Sequence, residues 1–181
     1  VILSAAVKAI QLHPDVHFTL CGDENTIKSG LQPLTDAERS RVTIKHCSQV
    51  VEMGEVPTSA LRNKKDSSMR RVIELVKSGE ADACVSAGNT GALLTLSFYL
   101  LKTLSGIDRP ALINMMPTTS HHNVFLLDLG ANVNCTPEIL FQYGVMGSVL
   151  AQEVAGIPSP RVALLNVGEE DIKGNAQVKS A

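Results

Sequence analysis

Apolar residues along this chain alternate between continuous runs typical of buried strands and spacings typical of amphipathic helices. Strands are predicted at 17–23, 42–46, 83–86, 110–116, 124–129 and 162–167. Helical spacing is clearest at 1–10, 69–77, 91–104 and 137–154. Strands that alternate with helices and are apolar throughout are typical of a sheet covered by helices on both faces. The pattern therefore predicts an α/β fold, and more specifically a doubly wound α/β/α sandwich.

Local sequence signals set several helix boundaries. Pro57 is well placed to open a short helix that runs to Leu61, and Asp66 or Ser67 is expected to cap the next one. Gly79 is expected to end that helix, because glycine adopts the left-handed conformation without steric cost. Two consecutive helices are thus predicted ahead of the strand at 83–86.

Three of the predicted strands run into clusters rich in Gly and Asn. The clusters lie at 86–91, 128–134 and 166–175. In an open α/β sheet, ligands bind beyond the carboxyl ends of the strands, where small residues let a ligand approach the backbone. We therefore expect the three clusters to line one pocket.

The first cluster combines a strand end with the start of a helix. Gly88 and Gly91 leave the backbone uncovered, and a helix N-terminus presents unpaired N–H groups to an anion. The alternative is that Asn89 or Thr90 only caps the helix. Both interpretations stay open at the level of sequence.

The second cluster supplies uncharged amides beside a carboxylate. Asn132 and Asn134 suit a carbonyl or an oxyanion as partner, while an Asx-type turn before the helix at Pro137 is the structural alternative. Asp128 is discounted as a metal ligand, because no His or second carboxylate accompanies it at ligand spacing. No metal site is predicted.

The third cluster places one lysine among acidic residues. Lys173 is suited to hold phosphate or a developing oxyanion as a point charge. A solvated acidic turn with its counter-ion is the alternative.

A basic segment at 62–71 precedes and enters a predicted helix. A solvated surface is the simplest interpretation, while phosphate binding or the docking of an acidic protein partner is the functional one. Its cations are Arg62, Lys64, Lys65, Arg70 and Arg71.

Composition narrows the classes of function. The 181 residues fit one α/β domain over 1–181, and a net charge of −2 with no Trp argues against a nucleic-acid partner. The apolar stretch 92–104 is interrupted by polar residues and is shorter than the roughly 20 residues of a spanning helix. The four cysteines lie far apart and are expected to be unpaired thiols in a reducing cytoplasm.

The ends of the chain carry a further expectation. The chain opens directly in a helical pattern without Met and stops at Ala181 as another helix begins. We expect a fragment that is truncated at both ends.

Several motifs in fixed order closely resemble the PlsX family of phosphate acyltransferases. Five of them are Lys64-Lys65-Asp66-Ser67-Ser68-Met69, the first cluster, Gly106-Ile107-Asp108-Arg109-Pro110-Ala111-Leu112, Asp128-Leu129-Gly130-Ala131-Asn132-Val133-Asn134 and Leu165-Asn166-Val167-Gly168-Glu169-Glu170. The resemblance covers nearly the whole chain. It implies a fold similar to isocitrate and isopropylmalate dehydrogenases, and an enzyme that transfers an acyl group from acyl carrier protein to inorganic phosphate.

The resemblance also implies partners and site residues. It implies no cofactor, a homodimer, and peripheral association with the cytoplasmic membrane. By match to the family's G-E-E-x-x-K-G stretch, Lys173 is the expected catalytic cation, and Asn132 is the second expected catalytic residue, orienting phosphate or the thioester. The charge of the basic segment makes it the expected docking site for an acidic carrier protein. The expected substrate- or phosphate-binding residues are Ser86, Gly88, Asn89, Thr90, Asn134 and Glu169.

Competing functions remain open on the same residues. A phosphotransacetylase-like enzyme would use a small acyl thioester, and the basic segment argues mildly for a carrier protein instead. A dehydrogenase is disfavoured because the chain lacks a dinucleotide fingerprint. A non-catalytic module that binds phosphate or a carrier protein is the alternative from another class.

Overall fold

The computed structural model describes residues 2–119, 122–132, 134–166, 168 and 173–181. These residues group into two compact units, the first ending at Lys102 and the second beginning at Thr103. Unit 1 contains α1 (Ile2–Leu12), β1 (Phe18–Gly22), α2 (Glu24–Gly30), α3 (Asp36–Arg39), β2 (Val42–His46), α4 (Pro57–Asn63), α5 (Ser68–Ser78) and α6 (Thr90–Leu101). Unit 2 contains β3 (Ile113–Pro117), β4 (Asn123–Leu127), α7 (Pro137–Ala155) and α8 (Ala176–Ser180).

Unit 1 begins with a parallel pair of strands. In the pair β1–β2, Phe18 lies opposite Val42 and Gly22 lies opposite His46. Apolar side chains of α1, α2 and the segment after α2 form a buried cluster beside these strands, because the helices turn their apolar faces inward. Its buried members are Val7, Ile10, Ile27, Leu31 and Leu34.

A second core in unit 1 joins α4, α5 and α6. Ile73 of α5 and Leu96 of α6 are fully buried in it. Ser67, one of the two predicted caps, caps α5 by accepting a hydrogen bond from the N–H of Arg70 at 3.3 Å. Gly79 ends α5 in the left-handed conformation with φ 75°, as predicted. The helical boundaries in this core therefore follow from local sequence signals.

Unit 2 is built on an antiparallel hairpin and a long helix. In the pair β3–β4, Ile113 lies opposite Leu127, and the helix α7 contacts β4. The Oγ1 of Thr136 accepts a hydrogen bond from the N–H of Ile139, which caps α7 one residue before Pro137. The predicted helix at 137–154 is confirmed.

The α/β class is confirmed, but some strand predictions are wrong. Residues 83–86 and 162–166 form no strand, and β3 and β4 pair in antiparallel fashion rather than within a parallel sheet. A strand requires a neighbour for its N–H and C=O groups, and sequence pattern does not reveal that neighbour. Val85 is 92% exposed and Leu165 is 86% exposed, whereas Cys84 packs against the second core of unit 1. Residue 167 lies outside the described residues.

Among the residues that the structure describes, no helix has the length and apolar character needed to cross a membrane.

Candidate functional site

The first cluster forms the loop that leads into α6 in unit 1. The Oγ of Ser86 accepts a hydrogen bond from the N–H of Gly88 at 3.2 Å. A Cβ at Gly88 would lie 2.8 Å from the Cε of Met69, and a Cβ at Gly91 would lie 3.1 Å from the Cγ of Pro57. This loop therefore packs closely on Met69 and Pro57, and a side chain at either glycine would displace one of them.

Asn89 is the most constrained residue of this loop. Its side chain is buried, with 8% of the residue exposed, and its Oδ1 accepts from the N–H of Ala92 at 2.9 Å to cap α6. Its Nδ2 donates to the backbone carbonyls of Glu52, Met53 and Glu55 at 3.2, 3.0 and 2.8 Å. The cap interpretation is confirmed, and a role in phosphate binding stays a prediction.

The start of α6 still presents backbone donors. Thr90 is exposed, and within the described part of the chain neither its N–H nor that of Gly91 donates a hydrogen bond. Unpaired N–H groups in a first helical turn favour a negatively charged group. The geometry of this turn is compatible with the predicted binding of an anion.

The second cluster in unit 2 is organised by Asp128. Its Oδ1 accepts from the N–H groups of Leu112 at 2.9 Å and Ala131 at 3.2 Å. Its Oδ2 accepts from the N–H of Asn132 at 2.6 Å and from the Nδ2 of Asn132 at 2.9 Å. Partial burial alone would raise the pKa of this carboxyl, but donation from Asn132, Leu112 and Ala131 outweighs burial and lowers the pKa. Asp128 is thus held in its ionised form.

Asn132 is fixed by the same contacts. Its Nδ2 also donates to the carbonyl of Pro110 at 3.0 Å, so both hydrogens of the amide have partners. Asn134 is exposed. The predicted catalytic role of Asn132 and the substrate contact of Asn134 stay predictions, and Asn132 has only its Oδ1 left for a further partner.

Tyr143 of α7 completes the surroundings of this loop. Only 4% of the residue is exposed, and its hydroxyl donates to the carbonyl of Pro110 at 3.5 Å. Burial, followed by the charges of Cys135 and Asp128, raises the pKa of Tyr143 to about 12. The sequence analysis predicts neither a role for Tyr143 nor the organising role of Asp128. An Asp followed two residues later by Gly130 is typical of a turn closed by the Asp side chain, and it was the signal available for Asp128.

The third cluster is described in part. Lys173 is exposed in unit 2, next to Gly174, which has φ 95°. A Cβ at Gly174 would lie 3.0 Å from the Nδ2 of Asn166, so the two ends of this cluster pack closely. The predicted substrate-binding residue Glu169 lies outside the described residues. The catalytic role of Lys173 stays a prediction.

The basic segment divides into exposed and paired cations. Arg62 and Lys65 are exposed, and neither has a carboxylate partner among the described residues. Lys64 donates from its Nζ to the carbonyl of Val50 at 3.0 Å and lies 3.8 Å from a carboxylate oxygen of Glu55. Lys64 therefore contributes to the packing of unit 1.

Arg70 and Arg71 belong to a charged network around the start of α5. Arg70 donates to Glu74 at 2.7 Å, and its side chain is only 14% exposed, with Nη1 buried and without a partner in the described part of the chain. Arg71 donates to Asp66 at 3.0 Å and to Glu74 at 2.9 Å. Donation from the backbone and side chain of Ser48, and then from Arg71, lowers the pKa of Asp66 to about 2.

The cysteines are free thiols, as expected. Burial, followed by the proximity of Cys47, raises the pKa of Cys21 to about 11. Within the described ranges, no group of three or more His, Cys, Asp or Glu residues is arranged to hold a metal ion.

Comparison with known proteins links these loops to a family. Residues 1–181 match the family described as fatty acid synthesis protein. Several relatives are named phosphate acyltransferase. The one from Halorhodospira halophila is 56% identical to this chain over 181 residues, which are 100% of this chain and 52% of the relative. The relative in Pseudoalteromonas atlantica is 54% identical over 100% of this chain and 53% of its own length. That in Pseudomonas syringae pv. syringae is 54% identical over 99% of this chain and 52% of its own length.

The chain spans about half the length of the curated relatives that it matches. The match to the family nevertheless extends from residue 1 to residue 181 and includes all three loops and the basic segment. The resemblance inferred from the motifs is confirmed, and this chain belongs to the fatty acid synthesis protein family.

Proposed function

We propose that this chain is part of a phosphate acyltransferase that transfers an acyl group from acyl carrier protein to inorganic phosphate. The proposal rests on one observation: relatives that carry this name are 56% and 54% identical over the whole chain. In the reaction, an oxygen of hydrogen phosphate attacks the thioester carbonyl, a C–O bond forms and the C–S bond breaks. The proton of hydrogen phosphate goes to the departing thiolate, which gives acyl phosphate and the free carrier-protein thiol.

The residues of the three loops are suited to stabilise the two negative charges of this reaction, which are those of phosphate and of the oxyanion in the tetrahedral intermediate. Thr90 and Gly91 offer free N–H groups for phosphate at the start of α6, where the helix dipole favours an anion. Lys173, as an exposed cation, would neutralise phosphate or the oxyanion of the tetrahedral intermediate. Asn134 would contact the substrate from the second loop.

The test uses the full-length protein, meaning this chain with the remaining length that its relatives have. Release of carrier-protein thiol from long-chain acyl carrier protein is measured with and without phosphate. We expect release only with phosphate, and a loss of about 10²–10³-fold in Lys173→Ala, as is typical when one group that stabilises an oxyanion is removed. A folded protein that releases no thiol would refute the reaction.

The acyl donor is tested in the same assay. Acetyl and long-chain thioesters of a small thiol replace the acyl carrier protein at equal concentration. A preference of more than tenfold for the carrier-bound substrate supports the proposal, whereas a preference for the small acetyl thioester favours a phosphotransacetylase-like enzyme.

We propose that the carrier protein docks on the exposed cations Arg62 and Lys65. These two side chains are free to meet an acidic partner, whereas Lys64, Arg70 and Arg71 already face carboxylates of their own unit. Electrostatic complementarity of this kind mainly accelerates association and is screened by salt.

Charge reversal tests this surface. The double variant Arg62→Glu/Lys65→Glu should raise the KM for acyl carrier protein by about tenfold at low salt while the KM for phosphate stays unchanged. Lys8→Glu/Lys77→Glu reverses two exposed charges elsewhere in unit 1 and is the control matched in net charge. Equal effects of both changes would show that net charge, and not this surface, determines binding.

We further propose that the full-length protein forms the doubly wound sandwich of the dehydrogenase-like fold, dimerises, and associates peripherally with the membrane. Segments 83–86 and 162–166 support the sandwich, since each has the apolar sequence of a strand and carries exposed apolar side chains such as Val85 and Leu165. Exposed aromatic residues on helices, such as Phe98 and Phe141, support further apolar contacts. Sedimentation and vesicle flotation of the full-length protein test the dimer and the membrane contact.

A further inference from the structure

We propose that Asp128 is a positioning residue for acyl transfer, acting through Asn132. The inference rests on the proposed function, since positioning has a meaning only for a reaction that takes place there. No comparison assigns a role to Asp128.

The carboxylate of Asp128 closes the second loop on itself and onto the segment before β3. Each of its two oxygens accepts two hydrogen bonds, and the four donors come from Leu112, Ala131 and both the backbone and side chain of Asn132. A carboxylate has about four lone-pair positions. All of them are occupied, so Asp128 has no capacity left to accept a proton from substrate as a general base.

The charge of Asp128 is matched to these donors. An isosteric Asn offers a single acceptor oxygen and turns an NH₂ group toward N–H groups that need an acceptor. Leaving a partly buried donor unpaired is unfavourable, and hydrogen bonds to an ionised acceptor are stronger than neutral ones. Asp128→Asn is therefore expected to release the loop while changing hardly any volume.

Asn132 is the residue through which the effect reaches the reaction. Its Nδ2 lies between Oδ2 of Asp128 at 2.9 Å and the carbonyl of Pro110 at 3.0 Å, which fixes the orientation of the amide and leaves Oδ1 for a further partner. Small displacements of a group that orients substrate lower turnover strongly, by up to about 10²-fold for 1 Å. Losing Asp128 should lower turnover more than it weakens substrate binding.

The first measurement is steady-state kinetics of the full-length protein. Asp128→Asn should lower kcat by about 10–100-fold while the KM values for phosphate and acyl carrier protein change by less than about threefold. Asp108→Asn is the matched control, because Asp108 is a carboxylate of the same unit whose exposed hydrogen bond to Gln142 can persist through the Asn oxygen. The control should stay within about twofold of wild type.

A double-mutant comparison separates positioning from a general loss of structure. In an Asn132→Ala background, Asp128→Asn should lower kcat by less than about threefold further, because the residue through which it acts has gone. If the double variant instead loses kcat by the product of the two single-variant losses, the two residues act independently and the inference is overturned. Hydrogen exchange gives a readout independent of activity: the N–H groups of Ala131 and Asn132 should exchange at least about tenfold faster in Asp128→Asn, with α1 unchanged.

The possible failures are distinguishable. A wild-type protein without phosphate-dependent thiol release refutes the proposed function, and the positioning role with it. An active wild type whose Asp128→Asn variant keeps its kcat or its amide protection refutes only the role of Asp128. If Asp128→Asn does not fold, Asp128→Glu keeps the charge but displaces the carboxylate, and it must show the same selective loss of kcat.

Discussion

Individual polar residues of unit 1 hold the loops around the predicted anion site in place. Asn89 joins the start of α6 to the carbonyls of 52–55, and Asp66 joins the segment after β2 to α5 through Ser48 and Arg71. Both residues supply hydrogen-bond partners to backbone groups of neighbouring segments, among them the N–H of Ser48 and the carbonyl of Glu55. Their contribution is therefore measurable as stability of the fold, separately from any contact with substrate.

Replacing Asn89 should destabilise unit 1. Asn89→Ala removes the cap of α6 and leaves the carbonyls of Met53 and Glu55 without the Asn89 donor, so we expect the free energy of unfolding to fall by about 1–3 kcal/mol. Urea denaturation measures the change, and Thr90→Ala, an exposed neighbour, should change it by less than about 0.5 kcal/mol. Equal effects of both substitutions would show that the buried amide is not the source of the stability.

The low pKa of Asp66 makes the stability of the folded chain depend on pH in the acid range. Its pKa is about 2 in the folded chain and 3.8 for an unperturbed Asp, so its stabilising effect is complete above about pH 4. That effect is lost as the pH falls from about 4 to about 2, because the unfolded state then binds more protons than the folded state. Asp66→Asn should remove this part of the pH dependence, as measured by urea midpoints between pH 5 and 2; an unchanged slope would contradict the assignment.

At the scale of elements, the sequence predicts the positions of the main helices, but it does not predict which strands pair. The predicted helix at 69–77 is α5, and its cap at Ser67 and its end at Gly79 depend on contacts within a few residues. Residues 83–86 have the composition of a strand, yet form none, because a strand needs a distant segment to pair with. Ligand contacts were harder to predict from the sequence than strand pairing, because Asn89 and Asn132 form hydrogen bonds within the chain itself.

The second core in unit 1 includes the packing of α5 against α6. Ile73 is fully buried there with Leu96, so Ile73→Ala should lower the free energy of unfolding by about 2–5 kcal/mol through lost burial and a residual cavity. The control is Leu104→Ala, because Leu104 is 82% exposed, and we expect a change within about 0.5 kcal/mol. A small effect at Ile73 in urea denaturation would refute this description of the core.

At the scale of the whole molecule, the chain carries the family's motifs on about half of the length that its relatives have. The three loops are distributed over both units, with 86–91 in unit 1 and 128–134 and 166–175 in unit 2. Acyl transfer requires an anion, a thioester and a stabilised oxyanion at one place. We therefore expect phosphate acyltransferase activity from the full-length protein.

Detection of the acyl phosphate product shows whether phosphate is the acceptor of the acyl group. The full-length protein is incubated with long-chain acyl carrier protein and phosphate, and the product is trapped with hydroxylamine or followed by ³¹P NMR. We expect one acyl phosphate for each carrier-protein thiol released, and neither product at an appreciable rate in Lys173→Ala. Thiol release that yields free fatty acid instead of acyl phosphate would contradict the account, because water and not phosphate would then be the acceptor.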